Sequence, residues 1–174
     1  MKVLVVTYSF TGTGDRLARL LCSSRGWTSA QVVERRPRRR LATLHCALDS
    51  WLRREPRIRY QGPEPEDFDL VVLVAPIWLY RLASPMRSFV ALFRGQLRRV
   101  AVITLMGGKG GQNAAAEVGR LLGHAPLMTA TFTAREIEDG SFAPRLMAFG
   151  DALAASAPSP DPLRPSELSP VSAS

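Results

Sequence analysis

Cysteine, histidine and long apolar runs are all scarce in this chain of 174 residues. The two cysteines, Cys22 and Cys46, are too few for a disulfide framework, and neither lies in a CxxC pair. They read as reduced thiols in or near the core. The two histidines, His45 and His124, have no partners at ligand spacing, so no metal site is expected. No apolar stretch approaches the roughly 18 residues of a membrane span. Met1 is followed at once by a strand-like segment, without the basic and then apolar run of a secretory leader, and the expectation is a cytoplasmic protein.

Acidic charge is also in deficit, with a net charge of +8. The excess is local. Residues 35–59 carry nine arginines against Asp49 and Glu55, which leaves the rest of the chain nearly neutral. A run such as ERRPRRR followed by a Leu/Trp helix is a candidate surface for nucleic acid or an anionic membrane, or for an acidic partner. No aromatic groups are interleaved with the arginines, which argues against single-stranded nucleic acid.

What the chain has in quantity is alternation. Apolar, β-branched runs at 2–8, 27–34, 68–76, 98–105 and 127–133 read as strands. Between and after them, helical spacing of apolar residues predicts helices over 15–25, 41–54, 84–93, 111–123 and 143–156. Gly123 is a candidate C-cap. Five βα repeats specify an α/β fold, a parallel sheet with helices on both faces. Residues 1–156 form the expected domain. Residues 157–174, rich in Pro and Ser, read as a disordered tail.

In such a sheet, ligands bind beyond the carboxyl ends of the strands where strand order reverses. The loops there are SFTGTG (9–14), APIWLYRLAS (75–84) and LMGGKGGQ (105–112). The first opens a helix, where free N–H groups and the helix dipole favour an anion. Ser9, Thr11 and Thr13 add hydroxyls, and Gly12 and Gly14 permit close backbone approach. The second offers Trp78 and Tyr80 as stacking candidates. The third is nearly bare of side chains except Lys109.

Together these loops resemble the flavodoxin-like family. Ser9, Thr11, Gly12 and Thr13 are similar to its phosphate loop, with Gly14 where the family has a threonine. Pro76, Ile77 and Trp78, followed by Leu79 and Tyr80, are similar to its ring-contacting segment. Thr104, Gly107, Gly108, Lys109 and Gly110 fall where its glycine-rich ring-edge loop lies. The resemblance covers residues 2 to about 155. It implies a three-layer sandwich with a five-stranded parallel sheet of order 2-1-3-4-5 and noncovalent FMN. It also implies a redox role, as a carrier or as a flavin oxidoreductase linked to NAD(P)H or quinones. The electron partner is then a redox protein or a small-molecule acceptor. Leu79 stands where a glycine is common, and no aromatic occurs in LMGGKGG, so one ring face is expected to be open to a substrate or a second subunit of a homodimer. Lys109 near the pyrimidine edge would raise the potential, which favours a reductase.

Two other readings compete. Gly12-Thr13-Gly14, with Glu34 about 20 residues on, is one glycine short of a dinucleotide-binding fingerprint, with Leu17 in the third glycine's place. A flavin-free interaction module built around the arginine segment is the other.

Overall fold

The computed structural model describes residues 1–34, 58–78, 81–106 and 111–156. The segment 35–57, with its arginines, Cys46 and the expected helix over 41–54, lies outside the described residues, as do 79–80, 107–110 and 157–174.

Five strands run parallel: β1 (Val3–Thr7), β2 (Thr28–Glu34), β4 (Leu70–Trp78), β6 (Val100–Met106) and β7 (Met128–Thr133). Their spatial order is β2-β1-β4-β6-β7, the 2-1-3-4-5 order expected. β1 and β4 sit centrally, and all five residues of β1 are buried, as a strand covered on both faces requires.

The sheet is not purely parallel. β3 (Ile58–Gln61) adds an antiparallel edge beside β2, pairing Val32 with Tyr60 and Glu34 with Ile58. β5 (Arg81–Leu82) folds back on the end of β4, pairing Trp78 with Arg81. Both are short: β3 alternates half-buried Ile58 and Tyr60 with exposed Arg59 and Gln61 over four residues only, and β5 has two residues. β3 is held by its side chain: Tyr60 packs on Phe89 and Phe93, with ring centroids 5.2 Å away in each case. Gly62 then lets the chain pass over β2, because a Cβ there would lie 2.3 Å from Ala30 Cβ.

Side-chain alternation divides the core. Leu4, Val6 and Tyr8 face α2 (Ser84–Phe93) and α3 (Gly111–Leu122), meeting Met86, Phe89, Val90, Ala114 and Val118. Val3 and Val5 face α1 (Thr13–Arg25) and α5 (Phe142–Ala155), meeting Leu17, Leu21, Leu146, Phe149 and Leu153. The result is a three-layer sandwich. α3 ends at Gly123, whose φ of 82° is the left-handed conformation of a C-cap. Arg25, ending α1, pairs with Asp151 at 2.7 Å and donates to the Met147 carbonyl, tying α1 to α5.

A further short helix, α4 (Ala134–Asp139), precedes α5. It is built by a capping box. The Glu136 amide donates to Thr133 Oγ1 at 3.2 Å, and the Thr133 amide donates to Glu136 Oε2 at 2.7 Å. These bonds, with Arg145 beside the carboxylate, hold Glu136 below the usual carboxylate range. Cys22 is half-buried in α1, and burial pushes its thiol up to about 11. No helix among the described residues is long and apolar enough to cross a membrane. No cluster of metal-ligating side chains occurs among them.

Candidate functional site

The strand order reverses between β1 and β4, and the loops from their carboxyl ends meet there. The Tyr8 amide donates to the Val74 carbonyl at 2.9 Å, carrying the β1–β4 pairing past β1 itself. The chain then leaves the sheet as Ser9–Gly12 and enters α1. Gly12 is the N-cap, with φ 83° and no side-chain cap. The left-handed turn at Gly12 reverses the loop onto the helix start. Ser9 Oγ accepts from the Gly14 amide at 3.1 Å. The Thr11 and Thr13 hydroxyls lie 2.9 Å apart. Three hydroxyls and the first turn of a helix thus converge, a donor set suited to a phosphate.

Gly14 has a packing reason to be glycine. A Cβ there would stand 3.2 Å from Leu105 Cδ1 and 3.4 Å from Ser9 Oγ. Leu105, at the end of β6, occupies the room a threonine would need.

Trp78 ends β4 half-buried, with two aromatic rings standing nearly perpendicular to its own. The Tyr8 ring lies 5.8 Å away at 88°, and the Phe10 ring 6.0 Å away at 86°. Such edge-to-face pairs contribute about 0.5–1.5 kcal/mol each beyond burial. Phe10, 44 % exposed on the first loop, was not among the candidate residues. An apolar ring set between two hydroxyl residues of a ligand loop was the available signal.

The residues before Trp78 serve the sheet. Pro76 accepts from the Ala83 amide at 3.0 Å, and Ile77 is buried in the core shared with α2 and α3. The start of α2 and strand β5 are held by α3. Glu117 of α3 accepts from the Leu82 amide at 3.1 Å and pairs with Arg87 at 3.3 Å, both side chains buried. Thr104 was expected at the ring-edge loop. Its side chain is buried and bonded to Thr131 Oγ1 at 2.9 Å on the neighbouring strand β7. Leu79, Tyr80, Gly107, Gly108, Lys109 and Gly110 lie outside the described residues.

A cavity of about 270 Å³ opens on the other flank of the first loop, between the ends of β1 and β2, with Phe10, Asp15 and Glu34 in its wall. Burial raises the Asp15 carboxyl, and the charge of Arg19 partly offsets this. Glu34, the acid of the dinucleotide reading, accepts from the Tyr8 hydroxyl at 2.8 Å.

No protein-family model matches the chain, and no curated protein matches its sequence. Solved structures do match. A flavoprotein from Lactobacillus acidophilus NCFM, in complex with FMN, superposes with a TM-score of 0.66 at 18 % identity, over 80 % of this chain and 98 % of that one. A putative flavoprotein from Bacteroides eggerthii DSM 20697 gives 0.65 at 19 % identity, over 88 % and 98 %. The fold is flavodoxin-like. A flavodoxin variant from Pseudomonas aeruginosa extends the likeness, with a TM-score of 0.51 at 20 % identity over 88 % and 99 %.

The flavodoxin-like assignment bears on the dinucleotide reading. Counted along the edge, β3-β2-β1-β4-β6-β7 imitates a six-stranded dinucleotide sheet. However, β3 runs antiparallel to β2, so the described residues make no third parallel strand on that side. In this flavodoxin-like sheet the switch point lies between β1 and β4, where Ser9, Thr11, Thr13 and Trp78 are brought together.

Proposed function

We propose that the chain binds FMN noncovalently and works as a cytoplasmic redox protein. The observation that carries this reading is the meeting of a hydroxyl-rich helix-start loop with Trp78 at the switch point of a flavodoxin-like sheet. A mononucleotide with a flat ring needs both halves of that arrangement. The solved flavoprotein complex with FMN supports it through the shared fold.

In this reading Ser9, Thr11, Thr13 and the first amides of α1 hold the phosphate. Gly12 lets the backbone close around it, and Gly14 leaves that side of the anion to backbone donors. Trp78 presents its ring to the flavin, with Leu79 and Tyr80 beside it. Pro76 and Ile77 act indirectly, by fixing the strand end. Gly107, Gly108, Lys109 and Gly110 supply backbone donors and one charge at the pyrimidine edge. Bound FMN supplies the one- or two-electron chemistry, and the chain's residues bind, orient and shield it. In this reading electrons come from NAD(P)H or a partner redox protein and pass to a quinone, another small-molecule acceptor or a redox protein.

Titration of the purified protein with FMN, read by fluorescence quenching, tests the reading. Quenching is expected below ~100 μM, where even about −5 to −6 kcal/mol of binding shows. No quenching at that concentration overturns it, and tighter binding of NADP than FMN would install the dinucleotide reading instead. Turnover with NADPH, NADH or quinones then separates a reductase from a carrier.

A further inference from the structure

Trp78 is the last residue of β4, only half-buried, and is followed by a two-residue strand. Tyr8 and Phe10 meet the Trp78 ring almost perpendicularly, from β1's carboxyl end and from the first loop. Tyr8 is 4 % exposed and anchored at its far end, where its hydroxyl donates to Glu34 Oε1 at 2.8 Å. A phenol fixed at its oxygen cannot tilt freely, so its ring is a stop for Trp78. The contacts thus run across three adjacent strand ends: Glu34 on β2, Tyr8 after β1, Trp78 on β4.

We propose that Glu34, Tyr8 and Phe10 are positioning residues that set the plane of Trp78. Phe10 sits between Ser9 and Thr11, so a ligand that orders those hydroxyls also orders Phe10 against Trp78. The phosphate end of the site is thereby coupled to the ring end. The consequence for flavin rests on the FMN reading; the brace itself does not.

The test uses the full chain with Trp27→Phe and Trp51→Phe, which leaves Trp78 as the only tryptophan. Acrylamide quenching of its emission is compared in Tyr8→Phe, Glu34→Ala, Glu34→Gln and Phe10→Ala, with a thermal melt of each. Tyr8→Phe, Glu34→Ala and Phe10→Ala are expected to raise the quenching constant about twofold as the edge-to-face contacts loosen. Glu34→Gln keeps an oxygen that accepts from Tyr8 and is expected to match the parent. Unchanged quenching in Tyr8→Phe, Glu34→Ala and Phe10→Ala overturns the proposal. A Glu34→Gln variant as loose as Glu34→Ala overturns the role given to the hydrogen bond. Phe10 is exposed, so Phe10→Ala keeps the test alive if a buried variant fails to fold. In FMN-loaded protein, Phe10→Ala is expected to change the visible circular dichroism of the flavin. If the parent takes up no FMN, the FMN reading fails, and the brace is judged on quenching alone.

Discussion

Replacing Gly14 with threonine returns a hydroxyl to the start of α1, and the structure sets what that costs and gains. The new Cβ would stand 3.2 Å from Leu105 Cδ1 and 3.4 Å from the Ser9 side chain, so Leu105 must shift by a few tenths of an ångström. Glycine is a poor helix former, and threonine in its place gains about 0.3–0.5 kcal/mol. Crowding a packed site costs about 1–3 kcal/mol. Gly14→Thr alone is therefore expected to lose about 1 kcal/mol of stability. Leu105→Val opens the space at a cost of about 1 kcal/mol. In the double variant the hydroxyl is free to reach the phosphate. A hydrogen bond to a charged group is worth about 1.5–3 kcal/mol, or about ten- to a hundredfold in affinity. The assay is an FMN titration of the parent, both single variants and the double variant, with urea melts beside it. If the double variant binds FMN no tighter than Leu105→Val, the phosphate does not sit at Gly14 and the reasoning fails.

Trp78→Ala is expected to weaken FMN binding roughly tenfold and to shift the flavin spectrum; no change in either would make the ring a core residue. Glu117→Ala removes the buried carboxylate that faces Arg87 and the Leu82 amide, and is expected to lower stability by about 3 kcal/mol in urea melts. A loss under about 0.5 kcal/mol would show that the pair does not hold β5. Glu136 has its folded pKa depressed below 4.5 by Thr133 and Arg145, so its contribution is present above that value and is lost as pH falls through the folded pKa. Glu136→Gln is then expected to destabilise at neutral pH and to converge with the parent under acid. Equal gaps at both would refute the linkage.

The parallel core was legible because its evidence is local: continuous apolar runs, helical spacing and glycine punctuation. What stayed hidden depends on partners far along the chain. Ile58–Gln61 is too short to read as a strand, and what fixes it is Tyr60 on Phe89 and Phe93. The pairing of Thr104 with Thr131 depends on the register of β6 with β7, which no local pattern gives. Gly14 looked like a lost threonine, and Leu105, some 90 residues away, explains it. The α4 helix is a different case. Its Thr133-x-x-Glu136 signature was present but masked by the stronger helix that follows.

The end of α5 has a practical consequence. Arg99 Nη2 donates to the Ser156 carbonyl at 2.6 Å, and Arg99 immediately precedes β6. The described chain therefore finishes at the amino-terminal rim of the sheet, while Trp78 and the helix-start loop stand at the carboxyl-terminal rim. A parallel strand rises about 3.3 Å per residue, so the seven residues of β6 separate the two rims by about 20 Å. A linker attached beyond Ser156 would tether the protein to a surface by its base. The crevice would then stand at the rim opposite the point of attachment.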